Sequence, residues 1–319
     1  MNKIAFVFST LLYGWLVALR DLFSIFLRWL ELQCRREREG RAGRASPYVC
    51  IPISEPAFVK PDPLIYAQYF LMSLGFAVTW DNPDIELRLN GAPVPSSQIE
   101  PDKTYEIVAR IWNASPVAPV VQMPVSFSYL DFGIGTVRVP IATIKVDLGV
   151  LGGPNHPAFA VVPWKTPAMS GHYCLLVELT PFDDINFFNN LGQENLVVGT
   201  AHSPAVFHFT LRNDTPRQHE YRLEADAYVI PELDPCDGRR TEEMRRVQRV
   251  RHQRGRHPIP TGWQVKIVPE TAPLVPDQSV SIQVTVTPPA GFKGTQPINV
   301  NAFHEEGLAG GVTLGVTTG

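Results

Sequence analysis

The chain has 319 residues, 45% of them hydrophobic and 18% charged, and its formal net charge is −3. This length is enough for two ordinary domains with apolar cores, and the small net charge by itself predicts no partner. Proline occurs 30 times, about twice its usual share of about 5%, and because proline interrupts helices, the composition argues against a fold of long helices.

Basic residues are concentrated in two strips. Residues 34–44 hold five Arg and two Glu, a net charge of +3, and residues 239–256 hold eight Arg and two Glu, a net charge of +6. The remaining residues must therefore carry a net charge of −12. The sequence thus predicts an acidic body with two basic segments.

Residues 4–32 are almost entirely apolar and predict contact with membrane lipid. Arg20 and Asp21 interrupt the run near its middle. As one helix, residues 1–33 would be long enough to anchor the chain by crossing a bilayer, whose hydrocarbon core is about 30 Å thick. Two alternatives stay open. One is a helix that lies flat in the interface, and the other is a cleaved signal peptide, although no small-x-small cleavage site follows the run.

Two signals disagree about the side of the membrane on which the rest of the chain lies. Five arginines follow the apolar run and outnumber Lys3 before it, so the positive-inside rule places the following residues in the cytoplasm. The family resemblance described below instead favours the cell surface. The sequence therefore predicts a membrane-associated protein and leaves the side open.

Residues 34–63 are predicted to form a stalk that is first basic and then proline-rich. Five prolines between positions 47 and 63 favour an extended, polyproline-like chain. Residues 64–79 are apolar without clean alternation. They are predicted to form a short helix or the first strand, leaning against the domain that follows.

From about residue 84 onward, apolar side chains recur with a period of two, which is the pattern of half-buried β-strands. The first domain, residues 64–200, is predicted to be an immunoglobulin-like sandwich of seven short strands. These strands are 84–90, 104–113, 120–130, 136–148, 158–164, 171–180 and 193–199. Two of their buried faces are predicted to consist of Tyr105, Ile107, Ala109 and Ile111, and of Val121, Met123, Val125, Phe127 and Tyr129.

Residues 201–319 predict a second immunoglobulin-like sandwich, so the fold class is all-β, with two sandwich domains after a hydrophobic N-terminal helix. An Arg-rich insertion, residues 236–258, interrupts the second sandwich and is predicted to be a long polar excursion between two strands. The strands of this domain are predicted at 203–212, 219–230, 262–269, 278–287, 296–304 and 310–317.

Three segments of the first domain resemble a known family. They are IVARIWNASPVAPVVQMPVSFSYL at 107–130, GHYCLLVEL at 171–179 and DDINFFNNLGQEN at 183–195. Their order of strand, broken strand, Gly-His-Tyr strand and Asn-rich turn resembles bacterial immunoglobulin-like modules of the cell-adhesion-related (CARDB) type, over about residues 84–198. The resemblance implies a sandwich that displays or joins other molecules, usually outside the cell, and it implies no catalytic residues.

An oxygen-rich loop lies between two of the predicted strands. Asp183, Asp184, Asn186 and Asn189 are residue types that bind calcium, but their spacing is not that of an EF-hand. The same residue types close Asx-turns and tolerate left-handed backbone. The sequence therefore predicts a turn, with a calcium site as the alternative, and it predicts no other cofactor.

The Arg-rich insertion is the strongest local anomaly in charge. Its arginines are candidates for contact with an anionic lipid or protein partner. The alternative is a solvated loop or helix in which Glu242 and Glu243 pair with neighbouring arginines. Nucleic acid is disfavoured as a partner because the insertion has no aromatic residue for base stacking. The candidate residues are Arg239, Arg240, Arg245, Arg246, Arg249, Arg251, Arg254 and Arg256.

The sequence contains neither a His-Glu-x-x-His zinc pair nor a Gly-x-Ser-x-Gly nucleophile turn. We therefore predict a non-catalytic, membrane-attached β-sandwich protein with a structural, adhesion or protein-binding role. The alternative is an accessory glycan-binding or subunit-binding module of a larger bacterial surface or secretion assembly. Trp80, Trp164 and Trp263 are then the candidates for stacking on sugar rings.

Overall fold

The computed structural model describes residues 60–96, 98–131, 133–169, 171–198, 206–230, 250–305 and 307–318. The predicted anchoring helix 1–33 and most of the predicted stalk lie outside these residues. Residues 58–319 form one compact unit, and its described part is all-β, as the alternation of apolar residues predicts. No helix within the described ranges is long and apolar enough to cross a bilayer.

Apart from β6, the strands before residue 199 build a first sandwich of two antiparallel sheets. One short helix, α1, lies among them, within residues 64–79, for which the sequence allowed either a helix or a strand. The elements are β1 (Pro63–Leu64), α1 (Gln68–Ser73), β2 (Ile85–Leu89), β3 (Ala92–Val94), β4 (Thr104–Asn113), β5 (Val120–Asp131), β6 (Gly133–Ile134), β7 (Arg138–Leu148), β8 (Ala158–Lys165), β9 (Gly171–Leu179) and β10 (Leu191–Val198).

The connectivity of the first sandwich is immunoglobulin-like. In one sheet β4 pairs with β8 on one edge and with β1 and β2 on the other, and β3 lies beyond β2. The second sheet has the order β10-β9-β5-β7. The chain thus changes sheet three times, from β4 to β5, from β7 to β8 and from β8 to β9, which is the crossing pattern of this class of sandwich.

The first core follows the predicted alternation except at the start of β5. Tyr105, Ile107 and Ile111 are at most 2% exposed. Val121, however, is 73% exposed, so its predicted place on the buried face is wrong. The pairing of β5 with β7 shifts register between Val120 and Met123, and this bulge turns Val121 outward while Val120 takes the inward position.

The strands after residue 205 build a second sandwich. One of its sheets has the order β13-β15-β11-β6 and the other the order β14-β12-β16-β17. Their bounds are β11 (Val206–Arg212), β12 (His219–Asp226), β13 (Gln264–Val268), β14 (Thr271–Leu274), β15 (Ser279–Thr287), β16 (Gly294–His304) and β17 (Gly307–Thr318). The short strand β6 precedes β7 in the chain, yet it pairs in parallel with β11.

The two sandwiches share buried surface. Leu130, Cys174 and Leu176, which lie on β5 and β9, belong to the apolar core of the second sandwich. Trp80 is fully buried, and its indole Nε1 donates to Asn301 Oδ1 at 3.0 Å. The domain ranges 64–200 and 201–319 stay a prediction. Side chains from before residue 199 and from after residue 205 nevertheless share one apolar core.

Two carboxylic acids lie close to this junction, Glu194 fully buried and Asp226 partly buried. Glu194 accepts a hydrogen bond from the backbone N–H of Asn82, and burial, followed by the nearby charge of Asp81, raises its pKa well above the ordinary value of 4.5. Asp226 accepts from Asn299 Nδ2 at 2.8 Å. Burial also raises the pKa of Asp226. In both groups burial makes the charged carboxylate less favourable than it is in water.

Candidate interaction surface at one end of the first sandwich

Three loops of the first sandwich meet at one of its ends. They are residues 114–119, residues 149–157 and residues 180–190, which follow β4, β7 and β9 respectively. The strand register places them together, because Val120 pairs with Leu148, and Glu178 of β9 pairs with Leu191 of β10. We call this end of the sandwich the three-loop end; the second sandwich pairs with β6 at the opposite end.

The buried amide of Asn113 ties two of these loops together. Its Nδ2 donates to the carbonyls of Ala118, at 2.8 Å, and Gly149, at 3.0 Å. Its Oδ1 accepts from the backbone N–H of Ser115 at 3.0 Å. The side chain is fully buried, so each bond is shielded from water and the loops are held in one arrangement.

Sequence reasoning did not single out Asn113 as a structural residue. A signal was present, because the pattern Asn-x-Ser/Thr-Pro occurs at 113–116 and again at 213–216. Asn213 follows β11 as Asn113 ends β4, and its Nδ2 likewise donates to two carbonyls, of Arg217 and Leu274. The repeated pattern marks equivalent loop anchors in the two sandwiches.

The chain enters the described fold at the three-loop end. Lys60 Nζ lies 2.7 Å from Asp183 Oδ1, and the backbone N–H of Ile185 donates to the carbonyl of Pro61 at 3.1 Å. Asp62 donates its N–H to Asn113 Oδ1 at 3.1 Å and accepts from Asn189 Nδ2 at 2.8 Å. The entering segment is therefore bonded to loop 180–190 and to the Asn113 anchor.

The polar side chains of loop 180–190 point into the loop. The carboxylate of Asp184 accepts from the N–H of Asn186 at 2.8 Å and from Asn190 Nδ2 at 2.7 Å. The Oδ1 of Asn186 accepts from the N–H of Phe188, and this bond caps the start of a short 3-10 turn at Phe187–Asn189. Burial is the largest cause of the raised pKa of Asp184.

The apolar side chains of the same end face outward. Phe182 is fully exposed, and Ile185, Phe187 and Phe188 are between 57% and 68% exposed. The neighbouring loops contribute Val117, at 61%, and Leu151, at 54%. Six large apolar side chains exposed at one end of a sandwich form an unusual surface, because scattered single residues are the norm on soluble domains.

The three loops carry little charge. They contain no Lys or Arg, and their acidic residues are Asp183 and Asp184. Asp183 is paired with Lys60, and Asp184 is hydrogen-bonded within its loop. The three-loop end is therefore apolar and almost uncharged, which suits contact with an apolar partner.

The candidate calcium ligands Asp183, Asp184, Asn186 and Asn189 lie in this loop, where they make the contacts just described. Each carboxylate faces nitrogen donors, and the loop is closed by Asx-type bonds. Within the described ranges, no group of three or more His, Cys, Asp or Glu side chains is placed to hold a metal ion. That this loop is only a turn, or instead a calcium site, are both still predictions. A calcium titration would distinguish them.

Most of the candidate anion-binding arginines lie outside the described residues, namely Arg239, Arg240, Arg245, Arg246 and Arg249. Of the described ones, Arg254 serves the fold. Its Nη2 donates to Glu224 at 2.8 Å, and its guanidinium lies 4.0 Å from the ring centroid of Phe303. Arg256 Nε donates to Gln253 Oε1 at 3.0 Å, and Arg251 is exposed.

The end of the Arg-rich insertion packs on the fold, although the sequence predicted a solvated excursion. The backbone N–H of Ala77 donates to the carbonyl of His252 at 2.7 Å, and that of Arg254 donates to Gly75 at 2.9 Å. The Tyr228 hydroxyl lies 2.6 Å from His252 Nδ1. Residues 250–256 are thus fastened to the turn after α1 and to the end of β12.

Two of the three tryptophans considered for glycan stacking are buried, and the third is partly exposed. Trp80 is fully buried, and Trp164 is 3% exposed within the first core. Trp263 is partly buried against the second core and lies edge-to-face with Phe292, with ring centroids 4.7 Å apart. A sugar ring would have to displace core contacts to reach Trp80 or Trp164, whereas Trp263 lines an open pocket at the surface.

No family model matches the chain, and no curated protein matches it. Among solved structures, it is similar to Escherichia coli alpha-2-macroglobulin activated by porcine elastase, at 10% identity and a TM-score of 0.22, over 74% of this chain and 22% of that one. It is also similar to the Yersinia pseudotuberculosis adhesin InvE, at 11% identity and a TM-score of 0.19, over 69% of this chain and 56% of that one. The chain thus spans less than two thirds of either protein, and the fold assignment rests on its own sheet topology.

Proposed function

We propose that this chain is a non-catalytic, membrane-attached β-sandwich protein with a structural, adhesion or protein-binding role. In this proposal residues 4–32 attach the chain to membrane lipid, the proline-rich stalk follows, and the paired sandwiches are held out to a partner. We also propose that the first sandwich belongs to the cell-adhesion-related type that its sequence resembles.

One observation supports this proposal above the others: the chain enters the fold at the apolar three-loop end of the first sandwich. The second sandwich pairs with β6 and packs against side chains of β9 and β10. The apolar run 4–32 is therefore joined through the stalk to the end of the first sandwich that exposes Phe182 and Phe188. The shared buried surface between the sandwiches supports a presenting role, because a rigid pair holds a distant surface at a fixed place.

Cell fractionation tests the attachment. The full chain should sediment with membranes and resist extraction by alkaline carbonate. Leu12→Arg, a charge within the apolar run, should release a large part of the protein, whereas the matched control Ala45→Arg in the stalk should release none. Recovery of the unaltered chain in the supernatant would refute the proposal, and protease treatment of intact cells assigns the side.

A further inference from the structure

We propose that the three-loop end inserts its apolar side chains into the interface of an electrically neutral phospholipid bilayer. This inference rests on the proposed membrane attachment and deepens it, since it makes the first sandwich itself a lipid-binding element.

The shape of the surface favours a bilayer. The exposed apolar side chains come from three separate loops. A bilayer accepts such projecting side chains without a complementary pocket, because its interface is soft and apolar just below the headgroups.

The framework below these side chains is firm. Asn113 links two of the loops, and Asp62 links Asn113 to Asn189 of the third loop. Asp184 and Asn186 hold the backbone from which Phe187 and Phe188 project. Less conformational entropy is therefore lost when the side chains enter lipid, since the loops are ordered beforehand.

The charge of this end selects a neutral bilayer. Binding to anionic lipid requires lysines or arginines close to the headgroups, and the three loops contain neither. The nearest basic group, Lys60, is paired with Asp183 at 2.7 Å, while Asp62 and Asp184 add negative charge nearby. Anionic lipid should consequently add nothing to the binding.

The covalent path keeps this end close to the attached segment. Residues 33–59 separate the apolar run from Lys60, and 27 residues can span at most about 90 Å. Attachment through residues 4–32 therefore keeps the three-loop end within about 90 Å of the attached segment. A weak insertion becomes effective there because the local concentration of lipid is high.

The test places a fluorescent label at single positions of the full chain, on vesicles of phosphatidylcholine. Cys34, Cys50 and Cys236 are replaced by serine, and Cys174 is retained because it is buried. An environment-sensitive label is attached at Phe182→Cys or at Phe188→Cys. The matched control is Met169→Cys, which is 76% exposed at the opposite end of the same sandwich, next to β9.

We expect the labels at positions 182 and 188 to shift to shorter wavelength on vesicles, and brominated acyl chains to quench them about twofold. The label at position 169 should stay unquenched. Adding phosphatidylglycerol should not increase the quenching at position 182 or 188.

The possible failures are distinguishable. If the chain binds vesicles but the labels at 182 and 188 are quenched no more than the label at 169, this inference is overturned and the proposed attachment stands. If the chain does not bind vesicles at all, both are overturned. A blue shift that needs no lipid and grows with protein concentration would assign the surface to a second copy of the chain, and it too would overturn the inference.

Discussion

Replacing Gly311 by alanine tests whether Trp80 locks the two sandwiches together. Gly311 lies on β17 directly beneath the buried indole of Trp80. A Cβ at this position would lie 2.2 Å from Trp80 Nε1 and 2.4 Å from Cε2. Since ordinary contacts between heavy atoms are about 3.5–4.0 Å, the indole would have to move by about 1 Å.

The surroundings leave little room for that movement. The ring of Tyr69 stands edge-on to Trp80 with centroids 5.7 Å apart, and Phe303 and Met72 belong to the same buried cluster. Overpacking of this kind costs about 1–3 kcal/mol, and losing the hydrogen bond to Asn301 costs about 1 kcal/mol more. We expect Gly311→Ala to lower the free energy of unfolding by about 2–4 kcal/mol in total.

Denaturant titration of the full chain, followed by circular dichroism and tryptophan fluorescence, measures this loss. In a thermal scan the midpoint should fall by about 5–15 °C. Gly315→Ala is the matched control, because Gly315 lies on the same strand and a Cβ there meets no atom within 4 Å. The control should change the free energy of unfolding by no more than about 0.5 kcal/mol.

A double-mutant cycle separates the clash from a general effect of alanine in β17. In a Trp80→Phe background the smaller ring leaves space for a methyl group, so Gly311→Ala should cost clearly less than it does alone. Equal losses for Gly311→Ala and Gly315→Ala, or a penalty that is unchanged by Trp80→Phe, would refute the reasoning.

Four further predictions follow from single sites. Asn113→Ala should lower the free energy of unfolding by about 2–4 kcal/mol, because it leaves two partly buried carbonyls without these donors, and urea titration measures the loss. Burial raises the pKa of Glu194, so the folded state binds the proton more tightly and stability falls as pH rises from the ordinary value of 4.5; Glu194→Gln should flatten this slope and stabilise the chain at neutral pH. Burial raises the pKa of the Cys174 thiol to about 12, so iodoacetamide should modify it only in denaturant, as shown by peptide mapping. Calcium should leave the melting temperature unchanged relative to EDTA, because Asp184 already accepts two N–H donors.

For each of these four predictions, a specific result would contradict it. Asn186→Ala, which removes a single hydrogen bond at the loop surface, is the control for Asn113→Ala, and a similar loss for both would deny Asn113 its anchoring role. Parallel pH profiles for Glu194→Gln and the unaltered chain would show that Glu194 titrates normally. A native Cys174 that reacts at once, or a calcium-dependent rise in the melting temperature, would contradict the other two.

The main features of the fold were predictable from the residue pattern. In β8 the residues alternate between buried and exposed along the whole strand, and β4 has the bounds that its apolar period predicts. Such strands repeat a two-residue period over eight or more positions, so local sequence is enough to identify them. The short strands β1, β3, β6 and β14 were not predicted, because two to four residues cannot display a period.

The candidate surface was only partly predictable. The sequence indicated an Asn-rich turn at 183–195, but it did not show that Phe182 and Phe188 would point outward, since phenylalanine is usually buried. Their orientation follows from the inward hydrogen bonds of Asp184 and Asn186. Those bonds depend on the position of Asn190 and on the entering segment at Asp62.

By itself, then, the sequence determined the all-β class, the positions of the long strands and the apolar run at 4–32, because each is a property of neighbouring residues. Tertiary structure decided the bulge that exposes Val121, the pairing of β6 with β11 and the meeting of three apolar loops at one end. These features arise from contacts between residues far apart in the chain, and their energies depend on partners that local sequence does not specify.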